Sequence, residues 1–240
     1  MALLGGSWGT FPRTRQAFSS AEGHLLNKRI AVLLSGRGSN FQSILAASQS
    51  GALGGQIGLV ISNRPGAGGL DIAREAAIQT ALIDHQSYAT REAFDADLAG
   101  VLDSQSPDLV VLAGFMRILT PGFVSRFAGR LMNIHPSLLP LYPGLHTHQR
   151  ALDAGDTHAG ATVHYVTGEL DGGPPVLQAK VPIVSGDDAE ALAARVLQVE
   201  HQIYPTAISW HLSGRLQFVH GRLYLDDELV PPTGQQWESS

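Results

Sequence analysis

Asn133 and His135 stand two residues apart in the run Leu131-Met-Asn-Ile-His-Pro-Ser-Leu-Leu-Pro140, and Asp171 opens the later run Asp171-Gly-Gly-Pro174. Residues two apart on an extended strand project from the same side, so the amide and the imidazole point one way while Met132 and Ile134 point the other. Pro136 favours that extended reading, because the residue before a proline is steered out of the helical region. An amide can donate to a developing oxyanion and an imidazole can carry a proton. A carboxylate brought alongside can hold that imidazole charged. These are the parts for acyl transfer through a tetrahedral intermediate. An isolated Asn-x-His is more often plain strand-end polarity, so the surrounding elements must supply the rest.

A second group is the turn Ser35-Gly-Arg-Gly-Ser-Asn40, directly between the apolar run Ile30–Leu34 and a helix expected over 39–50. Glycines there let backbone approach a ligand, and free amides at a helix start favour an anion. A dinucleotide site uses the same device, but its third glycine is replaced by Phe41 and the next strand ends in Ser62-Asn63 without an acid for a ribose hydroxyl. A monophosphate fits better than a nicotinamide cofactor.

The elements that must position these residues alternate β-rich and helical runs from Arg29 onward. That alternation predicts an α/β fold with a mostly parallel central sheet, helices on both faces, and some antiparallel strands toward the C-terminus. Strands are expected at 56–62, 81–84, 108–113, 130–135, 162–167 and 176–182, and helices at 69–79, 91–102, 145–154 and 187–204. In the last helix Leu192, Val196, Val199 and Ile203 form a buried stripe, with Glu200 at its margin. A carboxylate there needs a partner, either a salt bridge or a ligand. A terminal hairpin is expected over 216–225. The domain should span 29–230, with 1–28 an extension outside it and 231–240 a loose tail.

Composition narrows the chemistry. The chain has 240 residues, is 44% hydrophobic and carries a formal charge of 16 − 21 = −5, with no long basic run. Nucleic acid is thus disfavoured as a partner, and no stretch is long enough to cross a membrane. The absence of cysteine excludes disulfides, thiolate metal sites and a cysteine nucleophile. His146, His148 and His164 lack a carboxylate or further histidine in register, so capping or hydrogen bonding near the site suits them better than metal binding. Small-molecule substrates and a cytoplasmic location are expected, and a homodimer is left open.

Four runs in this order, Leu112-Ala-Gly-Phe-Met-Arg-Ile-Leu119, Asn133–Pro140, Tyr142-Pro-Gly-Leu-His-Thr-His148 and Glu169-Leu-Asp-Gly-Gly-Pro174, resemble the phosphoribosylglycinamide formyltransferases. The resemblance extends from about Arg29 to about Gly214. It implies a Rossmann-like fold and transfer of a formyl group, in purine biosynthesis, from 10-formyltetrahydrofolate as co-substrate to the amine of glycinamide ribonucleotide, without a metal. It also implies that Asn133, His135 and Asp171 are catalytic, that Gly38, Ser39 and Asn40 hold the phosphate, and that Glu200 meets the substrate amine. Arg91, Met116, Arg117, Ile118 and Leu119 would form the folate site with Asn133 and a closing loop of Thr167, Gly168, Glu169 and Leu170. Without the resemblance, Met116, Ile118 and Leu119 read as ordinary core. Arg37 would reach the phosphate or face solvent.

Three rivals share parts of this pattern. A methionyl-tRNA formyltransferase would carry a basic surface and a C-terminal domain for tRNA. A formyltetrahydrofolate hydrolase would have a larger N-terminal domain and no need of a phosphate loop. A nucleotide-sensing module that had lost catalysis would not need Asn133, His135 and Asp171 together.

Overall fold

A computed structural model describes residues 28–219 and 222–238. The chain runs β1 (Arg29–Leu34), α1 (Ser39–Gln49), β2 (Gln56–Ser62), α2 (Gly68–Glu75), β3 (Gln79–Leu82), α3 (Arg91–Gln105) and β4 (Leu109–Leu112). It continues through α4 (Pro121–Arg126), β5 (Leu131–His135), α5 (Thr147–Asp153), β6 (His158–Tyr165), β7 (Pro175–Pro182) and α6 (Ala189–Leu212). Four short strands close it: β8 (Leu216–Val219), β9 (Arg222–Leu225), β10 (Glu228–Leu229) and β11 (Gln235–Gln236).

Eight strands form one sheet in the order β11-β7-β6-β5-β4-β1-β2-β3. β3, β2, β1, β4 and β5 are parallel neighbours, whereas β6 runs antiparallel to β5 and β7 antiparallel to β6. This is the expected Rossmann-like sheet with its antiparallel flank. Strict alternation divides it into two cores, because both faces of a parallel sheet are covered. Ile30, Val32, Leu34, Met132 and Ile134 face α1, α2 and α6, while Ala31, Leu33 and Leu131 face α3 and α4. Asn133 and His135 therefore lie on the second side. The parallel strands all end at one edge, and the strand order reverses between β1 and β4. A crevice forms at such a switch point, which is where open α/β sheets bind ligands.

Several boundaries differ from the sequence expectation. α6 continues through Pro205 to Leu212 because Ala207, Ile208 and Leu212 prolong its buried stripe. The carbonyl of Gln202 finds the Thr206 hydroxyl at 2.8 Å in the turn that the proline disturbs. α5 starts at Thr147, since His146 caps it in the left-handed region at φ 58. β6 begins four residues before Thr162, and β3 lies two residues before 81–84. α4 was not anticipated, although Thr120 as cap and Pro121 as first residue are its ordinary start signals. The tail is not loose throughout: Gln235 and Gln236 pair with Leu177 and Gln178, and Trp237 N donates to Gln178 O. The proposed extension lies outside the described residues except for Lys28, whose ammonium meets Asp108 Oδ1 at 2.8 Å.

Candidate active site

The β5–β6 register sets Asn133 opposite His164 and His135 opposite Thr162. Opposite residues on neighbouring strands share a face, so β6 delivers a second imidazole to the pair that β5 presents. Asp171 joins them from the 166–174 loop, its Oδ2 3.5 Å from His135 Nδ1 and its Oδ1 3.8 Å from His164 Nε2. Two backbone contacts hold the loop in this position. Gly144 N donates to Asp171 Oδ2 at 2.8 Å, and a Cβ on Gly173 would lie 1.7 Å from Tyr165 O. The paired glycines thus sit where a Cβ would clash. Asp171 itself sits at φ 52, where Asn and Asp are the best tolerated of the non-glycine residues.

Hydrogen-bond partners decide the proton positions. His135 Nε2 lies 2.9 Å from Tyr142 O, which can only accept, so Nε2 carries a proton. Its Nδ1 faces Asp171 Oδ2 at 3.5 Å, so both ring nitrogens point toward acceptors. His164 is different. Its Nδ1 lies 3.1 Å from Tyr165 O and therefore donates, which leaves Nε2 to accept from Asn133 Nδ2 at 3.2 Å. Burial pushes its pKa down from 6.5 to about 4, the nearby Asp171 offsetting only part of the shift. His164 and Asp171 are thus close neighbours but no ion pair at neutral pH. One N–H of Asn133 is held by His164, and the other has no partner among the described residues.

The depressed pKa of His164 has a stability consequence. Between about pH 6.5 and 4 the unfolded chain binds a proton that the folded chain refuses, so stability falls as pH drops through that window. The loss attributable to His164 is on the order of 3 kcal/mol. Urea unfolding at stepped pH should show a shallower slope for His164→Gln than for the parent; equal slopes would contradict the assignment.

At the end of β1, the 35–40 turn behaves partly as expected. Ser39 and Asn40 begin α1 with free amides, and Gly38 caps it at φ 84. The close approach at Gly38 is to the chain itself, since a Cβ there would lie 2.8 Å from Gly69 Cα. Gly38→Val would therefore strain the fold as well as the turn. It should lower the melting temperature by several degrees, measurable by calorimetry, consistent with a cost of roughly 1–3 kcal/mol for a forced left-handed residue. Glu200 is buried, and Asn40 Nδ2 donates to its Oε2 at 2.6 Å. Burial raises the Glu200 pKa, with the Asn40 bond opposing. The helix-margin carboxylate thus has a partner in the turn. One turn further along α6, the Tyr204 hydroxyl lies 3.0 Å from both Leu112 O and Met132 O, bracing the ends of β4 and β5. Arg37 is exposed.

The remaining expected residues divide. Met116 and Ile118 are not core: they are 62% and 59% exposed on the turn after β4, while Leu119 is buried. Arg91 Nη2 donates to Ile118 O at 2.6 Å, and Arg117 stacks over the Phe94 ring. Thr167 and Gly168 line a cleft of about 340 Å³ with Val124, Ser125 and Phe218, away from the Asn133 group. Leu170 is exposed, and Gly172 packs against the Glu169 side chain. His146 caps α5, and His148 is half-buried with its pKa lowered by burial and by the nearby His135. Among the described residues no cluster of three or more His, Asp or Glu is arranged to hold a metal ion. His164 takes the hydrogen-bonding place near the site expected of it, with Asn133 as the partner that the sequence did not name. Its signal was the position opposite Asn133, which needs the strand register.

Comparison with known proteins identifies the family. The formyl transferase family profile matches residues 28–208, so the chain belongs to that family. Phosphoribosylglycinamide formyltransferase of Escherichia coli K12 is 52% identical over 205 residues, covering 85% of this chain and 97% of the relative. The enzyme of that name from Haemophilus influenzae is 48% identical over 207 residues, covering 86% and 98%. The solved phosphoribosylglycinamide formyltransferase of Coxiella burnetii superposes with a TM-score of 0.85 at 46% identity, covering 88% of this chain and 100% of its own. Within the family, the chain falls among the phosphoribosylglycinamide formyltransferases, folate-dependent one-carbon transferases of purine biosynthesis.

Proposed function

We propose that the amine of 5-phosphoribosylglycinamide attacks the formyl carbon of 10-formyltetrahydrofolate directly, in the crevice between the 35–40 turn and the Asn133 group. The observation that carries this reading is the convergence of Asn133, His135 and Asp171 on one face of β5. The substrate amine is itself the nucleophile, so no protein nucleophile is needed. As its lone pair forms the new C–N bond, charge gathers on the formyl oxygen, where the free N–H of Asn133 donates. His135 can add a second donor only by exchanging an acceptor, and the contact with Asp171 at 3.5 Å is longer than that with Tyr142 O. The amine then loses one proton and the departing folate nitrogen gains one, so the shuttle through His135, or through water held by Asp171, balances.

The phosphate end is assigned to Gly38, Ser39 and Asn40, with Glu200 turned toward the glycinamide amine. Arg91 and residues 116–119 are assigned to the folate, with the Thr167–Leu170 loop at its edge. Free amides at the start of α1 and the exposure of Met116 and Ile118 support these placements. Asn40→Ala should raise the KM for the ribonucleotide by about tenfold or more, since it removes a ligand contact and leaves Glu200 buried without its donor. The folate KM should move little; equal weakening of both substrates would refute the placement.

The reading is tested by following loss of formyl folate spectroscopically with the ribonucleotide, without it, and with the nucleoside lacking phosphate. Rapid loss is expected only with the ribonucleotide. Deformylation without any acceptor would indicate a hydrolase, and equal rates with the nucleoside would remove the role of the phosphate turn.

A further inference from the structure

Ser35 lies between β1 and the phosphate turn, at the point where the sheet order reverses. Its backbone N donates to Gly114 O at 3.1 Å, and its hydroxyl accepts from Met116 N at 2.7 Å. A serine hydroxyl has one proton to give, and here it goes to Asn63 Oδ1 at 2.5 Å. Asn63, fully buried just beyond β2, is held on its far side by His85, whose Nδ1 lies 2.6 Å from Asn63 O. One buried hydroxyl therefore ties together the ends of β2, β1 and β4.

The turn after β4 needs such ties. Met116 and Ile118 point into the open, so burial of their side chains does not hold it. Besides the Ser35 contacts, it is pinned by Arg91 Nη2 to Ile118 O, by Thr120 N to Asp95 Oδ2 at 2.6 Å, by the buried Leu119 and by Arg117 over the Phe94 ring. These act toward the far end of the turn. At the crevice end, Met116 N and Gly114 O both depend on Ser35.

We infer that Ser35 is a positioning residue for formyl transfer: its hydroxyl, aimed by Asn63, fixes the 114–119 turn in the shape that receives the folate. This rests on the assignment of residues 116–119 to the folate made above. Ser35→Ala leaves the Met116 N–H without its partner while keeping the backbone pairing to Gly114. The folate KM should rise about tenfold, the worth of one backbone hydrogen bond, with the ribonucleotide KM and kcat moving less than about threefold. Ser35→Thr, which keeps the hydroxyl, should restore most of the loss. Asn63→Ala should give the same folate-selective change, and the double variant should be no worse than the weaker single one, because the two residues act through one chain.

A folded Ser35→Ala with an unchanged folate KM would overturn the inference, as would a rise shared equally by both substrates. If Ser35→Ala loses folded protein, the folate KM of Asn63→Ala decides by the same criteria. The parent enzyme separates this from the underlying assignment: no saturable turnover with formyl folate would overturn that assignment, whereas a saturable parent with an unmoved Ser35→Ala overturns only the role of Ser35.

Discussion

Asp171→Asn lowers turnover at least about a hundredfold while leaving the protein folded, if general acid–base work runs through this carboxylate. The substitution isolates charge. Asn is accepted at φ 52 as readily as Asp, and its oxygen can still receive Gly144 N. The packing of Gly173 against Tyr165 O is untouched. What disappears is the negative charge facing His135 Nδ1 at 3.5 Å. Steady-state kcat and thermal unfolding, measured on the same preparation, check this. Near-full turnover would sink the proposed role, and so would an activity loss that simply follows a loss of folded protein.

Asn133→Ala should lower kcat by roughly a hundred- to a thousandfold, the usual cost of removing one preorganised oxyanion donor. The structure gives this residue one spare N–H, because the other is occupied by His164 Nε2. The variant also leaves His164 Nε2 without a donor, so a modest fall in melting temperature is expected alongside. The decisive reading is kcat with both substrates saturating. A folate KM that rises while kcat holds would make Asn133 a folate contact and no oxyanion donor.

Much of this arrangement was legible in the order of residues. The β-rich runs before Gly36 and Asn63 marked parallel strands, and Pro136 with the Met132/Ile134 alternation set Asn133 and His135 on one face. Other features depended on pairings that no local pattern states. His164 enters the site only through its antiparallel register with Asn133. Ser35 stood only as the first residue of the phosphate turn until the ends of β2 and β4 came to meet it. The close packing at Gly172 and Gly173 is likewise set by chain that passes beside them, which composition does not state. The helix expected over 187–204 runs on to Leu212 because the buried residues that carry α6 past Pro205 come later in the chain. Met116 and Ile118 read as core by side-chain type, yet they sit on a turn held by its backbone.

Direct transfer of the formyl carbon between two small molecules is the centre of this account, and a single-turnover experiment with formyl-labelled folate tests it most directly. Enzyme in excess over labelled folate is mixed with the ribonucleotide, quenched at intervals, and the label is located. The label should pass into the ribonucleotide product at the rate of folate release, with none on the protein, and Asp171→Asn should slow both together. Label recovered as free formate, or bound to the protein before product forms, would contradict it.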